Sequence, residues 1–406
     1  VALADRRLPR WSELAPLLRP ERVPLDPTER RLRRAHTIAD LRAIAARRVP
    51  RAVFDYADGA AEQEVSLRRA RNSFARVEFH PQALRDVSTA DTGTTVLGRR
   101  WPLPFALAPT GFTRMMHHEG ELAAARAAQR ADVTYALSTM GTASIEQVAA
   151  AAPEARKWFQ LYVWRDRAAG QDLVQRAQAA GYEALVLTVD TPVAGARMRD
   201  VRNGLTIPPA LTPSTVLDAA RHPAWWLNLL TTEPLTFASL HEWHSTVAEL
   251  VNTMFDPSLT FADIEWLRAI WPGPLLLKGI HTASDARAAV DHGADGIIVS
   301  SHGGRQLDRA AAPLEVLAPI VDAVGDRAEV LLDTGIMHGG DVVAALALGA
   351  RGCLVGRAFL YGLMAGGERG VERAITILAG EIARTLQLLG VRGVAELDRS
   401  HVSLRR

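Results

Sequence analysis

The stretch Val299-Ser-Ser-His-Gly-Gly-Arg-Gln-Leu-Asp308 places an imidazole, two glycines and a guanidinium side by side. A histidine titrates near neutrality, which suits a general base. Glycine lets a backbone approach a small ligand closely. Arg305, three residues after His302, offers paired N–H donors to a carboxylate. A turn-capping histidine and a surface arginine are the bland reading of either residue alone; the pair with its glycines favours chemistry. Asp190 ends Leu185-Val-Leu-Thr-Val-Asp. A carboxylate there is costly unless paired, and an Asp that orients a His is a recurring catalytic device, although spacing alone also allows an N-cap or loop role. Only Lys157 and Lys278 are lysines among 47 basic residues. Lys278 ends an otherwise apolar run, so its ammonium emerges where a Schiff base or an anionic ring would need it, unless it merely snorkels. Asp333-Thr-Gly335 and Gly356-Arg357 read as a short phosphate clamp.

The elements that would carry these groups repeat with a clear rhythm. Eight short apolar runs occur at Leu103–Pro109, Thr134–Thr139, Trp158–Val163, Ala184–Asp190, Pro274–Ile280, Gly296–Ser301, Glu329–Asp333 and Gly352–Gly356. The first seven precede helical stretches at Glu119–Ala131, Ser144–Ala152, Ala168–Ala180, Phe261–Ile270, Ala283–His292, Pro313–Val324 and Asp341–Leu348, and the eighth precedes one at Val371–Leu389. Eight βα units predict an α/β chain folded as a (β/α)8 TIM barrel. A doubly wound sheet wants a G-x-G-x-x-G turn after its first strand, and Pro109-Thr-Gly-Phe112 is not one. In a barrel the strand ends deliver Thr110, Ser138, Gln160, Tyr162, Thr188, Asp190, Lys278, Ser300, His302, Asp333 and Arg357 to one mouth. Residues 1–99 read as a basic, Pro-punctuated extension followed by a helical segment, interrupted at Pro50, that packs on a barrel spanning 100–406. The connection at about 191–260 far exceeds the usual roughly 2–6 residues. It contains His222-Pro-Ala-Trp-Trp-Leu-Asn-Leu-Leu, in which Trp225 and Trp226 either pack on the barrel, the favoured reading, or anchor at a membrane interface.

Composition narrows the class. The chain has 406 residues, 48% of them apolar and 23% charged, which suits a soluble protein with a large core. The formal net charge of +2, with no basic stripe interleaved with aromatics, gives no drive towards nucleic acid. Cys353 is the single cysteine, so an intrachain disulfide and a cysteine-based metal site are excluded, and no metal ligand set is expected. Neither a signal peptide nor a stretch of about 18 apolar residues is read, so a cytoplasmic location is expected.

Ser300-Ser-His-Gly-Gly-Arg-Gln306 resembles the active-site signature of the FMN-dependent 2-hydroxy acid dehydrogenases and oxidases. Phe54-Asp-Tyr-Ala-Asp-Gly-Ala60, Ala108-Pro-Thr-Gly111, Phe159-Gln-Leu-Tyr162, Leu187-Thr-Val-Asp-Thr-Pro192, Leu277-Lys-Gly279 and Val355-Gly-Arg357 extend the likeness over nearly the whole chain from about residue 37. The extension and the long fourth loop look most like the bacterial respiratory L-lactate dehydrogenase branch. The resemblance implies FMN as cofactor and oxidation of an L-2-hydroxy acid, L-lactate foremost, with electrons passed to a quinone, a cytochrome or oxygen. It implies His302 as base, Asp190 as its partner, Arg305, Arg197 and Tyr56 for the substrate carboxylate, and Tyr162 near the substrate hydroxyl. Lys278 would lie beside the flavin. Pro109, Thr110, Gly111, Ser138, Gln160, Thr188 and Ser300 would hold the ring and ribityl chain, and Asp333, Gly335, Gly356 and Arg357 the ribityl and phosphate end. A homotetramer, and peripheral contact with the inner face of the cell membrane near Trp225 and Trp226, are implied as well. An oxygen-using oxidase and a catalytically silent phosphate-binding barrel are the alternatives; a nucleotide dehydrogenase would want a cysteine at the mouth, whereas Cys353 sits inside the eighth run. Three positions depart from the family pattern: Ser301 stands where Asn is usual, Met337 where an Arg is common, and Met140 where a Trp often lines the pocket.

Overall fold

The computed structural model describes residues 7–18, 24–205, 213–235, 238 and 256–405. Eight parallel strands close into a barrel. In chain order they are Phe105–Leu107, Tyr135–Ser138, Lys157–Leu161, Ala184–Thr188, Leu275–Ile280, Gly296–Val299, Glu329–Asp333 and Gly352–Val355. Closure is made by the first strand on the eighth, with Cys353 opposite Phe105. The strands are buried on almost every residue, which is why they read as continuous apolar runs rather than as alternating ones.

Alternation nevertheless sets the site. Side chains two apart share a face of a strand. The barrel interior is packed by Ala136, Trp158, Val186, Leu276, Ile298, Leu331 and Leu354, among others. One step of two residues further along each strand comes Ser138, Gln160, Thr188, Lys278, Ser300, Asp333 and Gly356. The interior thus turns from apolar to polar at one level, and that level is the C-terminal mouth. The opposite end is plugged by the hairpin Thr94–Val96 with Arg99–Trp101, whose Trp101 ring lies 5.4 Å from Trp158. Lys157, the other lysine, sits at that lower end. It is buried with its ammonium on the carbonyls of Ala152, Pro153 and Ala155 at 2.8–3.3 Å.

Of three N-terminal helices, Ile38–Arg48 packs on the helical segment Arg357–Leu389, whereas Arg51–Asp58 and Val65–Ala75 lie over the mouth. The first begins with a reciprocal cap between Thr37 and Asp40. A helical stretch that was not expected begins at Arg357, directly after the eighth strand; Gly366 and Gly367 are not helical and break it, and the helix expected at Val371–Leu389 follows that break and runs to Leu389. Gly362 and Gly370 pack so closely there that a Cβ on Gly370 would lie 1.9 Å from the Gly362 carbonyl oxygen.

The long connection after strand four carries helices at Met198–Arg202, Pro213–Ala220 and Pro223–Leu230. Trp225 is turned inwards, its indole N–H donating to the Met115 carbonyl at 2.8 Å. The outer side of the same helix shows Leu227 and Leu230, 48% and 74% exposed. Among the described residues no helix is long and apolar enough to cross a membrane. The parts of this connection at 206–212, 236–237 and 239–255 lie outside the described residues.

Candidate active site

A cavity of about 730 Å³ occupies the mouth, within the size of a small-molecule or cofactor site. His302 reaches it from a turn of three consecutive left-handed residues, His302 at φ 55°, Gly303 at 66° and Gly304 at 75°. The glycines are required by space as well as by dihedral. A Cβ on Gly303 would fall 2.5 Å from the Arg357 guanidinium, and one on Gly304 2.8 Å from the Leu67 backbone nitrogen. Left-handed φ on a bulky residue such as His302 is strained and persists only where surroundings enforce it. Two hydroxyls do so here. Ser300 Oγ accepts from His302 N at 3.0 Å and donates to Asp333 at 2.5 Å. Thr334 Oγ1 accepts from Ser301 N at 3.3 Å and from Gly303 N at 3.0 Å. Nothing in the sequence singled out Thr334; it anchors the backbone at the position where Ser301 departs from the family pattern.

The imidazole Nδ1 of His302 lies 3.0 Å from Asp190 Oδ1. Room for that carboxylate is made by Gly279, where a Cβ would come 2.6 Å from the Asp190 Cβ. Burial alone would raise the Asp190 carboxyl, but the adjacent imidazole and Lys278 outweigh it and hold the group below the ordinary range. Burial pushes His302 below its ordinary value against the pull of Asp190. Its free-base form is therefore favoured at neutral pH, with Nδ1 committed to Asp190 and Nε2 left as the basic atom. Lys278 is buried, donating to Ser300 Oγ at 2.9 Å and pairing with Asp333 at 3.0 Å. Burial, with Asp190 nearby, raises the Tyr162 phenol, so it is a neutral donor.

Across the cavity lie the arginines. Arg305 donates to the carbonyls of Tyr56 and Gly59, and its guanidinium stacks 4.7 Å from the centre of the Tyr56 ring. Arg197 approaches the same ring at 5.9 Å. Arg357 donates to Ala57 O at 3.0 Å and Gly59 O at 2.6 Å. Both Arg305 and Arg357 thus hang on the carbonyl end of the Arg51–Asp58 helix, whose dipole favours cations there. Among the described residues no carboxylate lies within ion-pairing distance of Arg305, Arg197 or Arg357. Burial and the charge of Arg197 push Arg305 down to about 9. Physically this marks a desolvated cation short of a counter-ion, so an anionic ligand would complete the site.

Most of the residues singled out from the sequence line this one cavity: Tyr56, Pro109, Thr110, Gly111, Ser138, Tyr162, Arg197, Lys278, His302, Arg305, Asp333, Gly335, Gly356 and Arg357. Asp190, Gln160, Thr188 and Ser300 lie behind its wall. Asp190, Ser300 and Gln160 bond to residues in front of them, Gln160 by accepting from Ser138 Oγ at 2.9 Å, whereas Thr188 Oγ1 has no partner among the described residues. The residues fit a flavin mononucleotide. Thr110 Oγ1, Gln160 Nε2 and Thr188 Oγ1 are buried polar atoms with no protein partner among the described residues, as expected beneath a heteroaromatic edge that both donates and accepts. Arg357 and the glycines of strands seven and eight stand where barrels bind phosphate.

Sequence reasoning missed Arg71. It projects from the Val65–Ala75 helix to the end of the cavity that holds Gly335, Met337 and Arg357. It donates to the Gly335 carbonyl and to Asp341 Oδ2, the latter at 2.7 Å. A cation therefore stands beside Met337 although position 337 carries none. One arginine on a helix far away in the chain gives no sequence signal of this role. Asp200 was missed too; it lines the cavity near Arg197 and Arg305, and burial raises its carboxyl.

A closed (β/α)8 barrel with a His–Asp pair facing guanidiniums that pair with no carboxylate among the described residues, above a polar layer fitted to a flavin, defines a flavin-dependent oxidoreductase. The FMN-dependent dehydrogenase family model matches residues 45–404, and the chain belongs to that family. It is 59% identical over 403 residues to a provisionally named L-lactate dehydrogenase of Mycobacterium tuberculosis, covering 99% of this chain and 97% of that one. It is 43% identical over 373 residues to an L-lactate dehydrogenase of Caulobacter vibrioides, covering 90% and 97%. Glycolate oxidase of Spinacia oleracea is 40% identical, covering 90% and 95%. Among solved structures, the monotopic membrane protein (S)-mandelate dehydrogenase superposes with a TM-score of 0.88 at 39% identity, covering 92% of this chain and all of that one.

Proposed function

We propose that the chain oxidises an L-2-hydroxy acid, first of all L-lactate, to its 2-keto acid. The observation that carries this reading is the His302–Asp190 pair set across one cavity from Arg305 and Arg197, which have no carboxylate within ion-pairing distance among the described residues. Those guanidiniums hold the substrate carboxylate, with Tyr56 stacked beneath them, and fix C2 within the site. Tyr162 presents its O–H to the substrate hydroxyl. His302 Nε2 takes a proton from the substrate, and Asp190 stabilises the imidazolium that results. FMN, when bound, supplies the two-electron oxidation. Pro109, Thr110, Gly111, Ser138, Gln160, Thr188, Lys278 and Ser300 would hold its ring and ribityl chain, and Asp333, Gly335, Gly356, Arg357 and Arg71 its phosphate end. Lactate leads among substrates because the relatives of 59% and 43% identity carry that name, and because Met140, Phe112 and Met116 give the cavity an apolar wall for a small substituent.

The acceptor in this reading is a membrane quinone, ahead of a cytochrome. The exposed Leu227 and Leu230 and the monotopic neighbour support peripheral contact with the inner face of the cell membrane. The contact residues are the two leucines, since Trp225 is spent on the barrel. Oxygen is the second reading, favoured by the 40% identity to a glycolate oxidase. Assembly as a homotetramer belongs to the same proposal, supported by exposed Leu8, Trp11 and Leu17.

The test is an anaerobic absorbance scan of the purified flavoprotein with L- and D-lactate, glycolate and L-mandelate. L-lactate is expected to bleach the flavin band and D-lactate to leave it. His302→Ala should retain the flavin but not bleach. A colourless protein that takes up no FMN, or rapid bleaching by His302→Ala, refutes the reading. Peroxide formation in air would assign oxygen as acceptor.

A further inference from the structure

Outside the mouth, a second, small pocket is formed where the Ile38–Arg48 helix, the turn at His117 and His118, and the Pro223–Leu230 helix meet. Arg48, Arg114, His117 and His118 line it, with Asn228 and Trp225. Its volume is about 30 Å³. That is room for roughly two water-sized groups, so it admits an oxygen or two of a small anion but not an aromatic ring.

The chemistry of the lining decides the sign of the ligand. His117, His118 and Glu119 bring ligating atoms within 4.8 Å of one another, a spacing that a divalent cation could use. Glu119, however, is already paired with Arg126 at 3.0 Å. Burial, His118, Arg48 and Arg31 together push His117 down to about 4, so the surroundings repel positive charge. Arg48 is half-buried and has neither a hydrogen-bond nor an ion-pair partner among the described residues. His118 Nδ1 is a buried polar atom that likewise lacks one. Arg114 spends one N–H on the Glu233 carbonyl at 2.6 Å and keeps its charge. A pocket of this size, with an unpaired guanidinium and an unsatisfied imidazole nitrogen, calls for an oxyanion.

Its position decides the source. Ala224, Trp225, Asn228 and Leu229 face the pocket from one side of their helix, and Leu227 and Leu230 project from the opposite side. The same short helix therefore presents an apolar face outwards and a basic pocket beneath. Apolar anchoring and attraction to anionic headgroups act together at a membrane surface. We infer that this pocket receives the phosphate of an anionic phospholipid headgroup when Leu227 and Leu230 rest on the bilayer. The inference builds on the membrane contact proposed above and adds a lipid preference to it.

The experiment is sedimentation of the flavin-loaded protein with vesicles of phosphatidylcholine alone and of phosphatidylcholine with phosphatidylglycerol, at fixed ionic strength. The wild type is expected to bind the anionic vesicles at least tenfold more tightly. Arg48→Glu, and more mildly Arg48→Ala, should remove that preference while weak binding to phosphatidylcholine remains. Arg351→Glu makes the same charge change on the far end of the barrel and should keep the preference. Leu227→Asn with Leu230→Asn should lose both vesicles. Equal loss in Arg48→Glu and Arg351→Glu, or an intact preference in Arg48→Glu, overturns the pocket and leaves the membrane contact standing. Absence of wild-type binding to either vesicle overturns both. In that case, thermal stabilisation by inorganic phosphate that Arg48→Glu abolishes would reassign the pocket to a free anion. Bleaching by L-lactate should persist in every variant, which separates these outcomes from failure of the catalytic reading.

Discussion

Replacing Arg71 by Met tests whether a helix outside the barrel completes the cofactor's phosphate site. The substitution keeps an aliphatic stem over Phe74, where the guanidinium now sits 5.6 Å from the ring centre. It removes the charge that faces the cavity beside Met337. A hydrogen bond to a charged group is worth about 1.5–3 kcal/mol. The Arg71 side chain is 38% exposed, so solvent screening reduces this to about 1–2 kcal/mol, or roughly a 5–30-fold rise in the Kd of FMN. The fold should barely notice. Asp341 loses one ion pair but still accepts from Met337 N at 2.8 Å and His338 N at 3.0 Å. The assay is quenching of FMN fluorescence on titration into the flavin-free protein. The decisive arm is the double variant Arg71→Met with Met337→Arg, which returns the cation from the opposite wall and should recover most of the affinity. A Kd unchanged within twofold in Arg71→Met would mean that Arg357 and backbone amides suffice. A raised Kd that Met337→Arg does not recover would mean that Arg71 acts through the fold, not on the phosphate.

Two further outcomes follow from the ionisable groups. His302 must be neutral to accept a proton and is held below its ordinary value, so kcat/KM should fall only as pH drops below about 6.5; Asp190→Asn removes the partner that pulls this group up, and should move that acid limb to still lower pH while lowering kcat, which stopped-flow flavin reduction across pH would read, an upward move refuting the assignment. Asp58 is buried, bonded by Arg42 at 2.6 and 2.9 Å, Arg199 at 3.0 Å and the Tyr361 hydroxyl at 2.7 Å, and lies below its ordinary value because these partners outweigh burial. Its contribution is present above the unfolded carboxyl's pKa of about 3.9 and is lost as pH falls through the lower folded value; Asp58→Asn should cost about 3–5 kcal/mol in urea unfolding at pH 7, and the gap from wild type should narrow in acid.

The barrel was legible because parallel strands buried on both faces leave continuous apolar runs, and because Ala-rich helices follow each one. The mouth was legible for a related reason. Ser138, Gln160, Thr188, Lys278, Ser300 and Asp333 each sit two residues beyond an interior side chain, so polar residues at strand ends already encode one ring. What stayed hidden comes from other elements. Arg71 meets Gly335 and Asp341 across more than two hundred residues of chain, and an arginine in an Arg-rich sequence announces nothing. Thr334 was passed over because a threonine between Asp333 and Gly335 looks like turn filler, whereas its hydroxyl gathers the amides of Ser301 and Gly303. The helical stretch that begins at Arg357 was passed over, because Gly366 and Gly367 break it from the helix expected at Val371–Leu389. Rarity of lysine, by contrast, marked both a mouth residue and a structural one, since Lys157 serves three carbonyls at the barrel floor.

The carbonyl oxygens of Tyr56, Ala57 and Gly59 bear the weight of both Arg305 and Arg357. One guanidinium would face the fuel, the other the tail of the prosthetic group, and the same turn of backbone is their common footing. A disturbance of that footing should therefore reach both grips, and the two affinities are expected to change together. Clipping or tilting that single N-terminal turn should weaken both grips together.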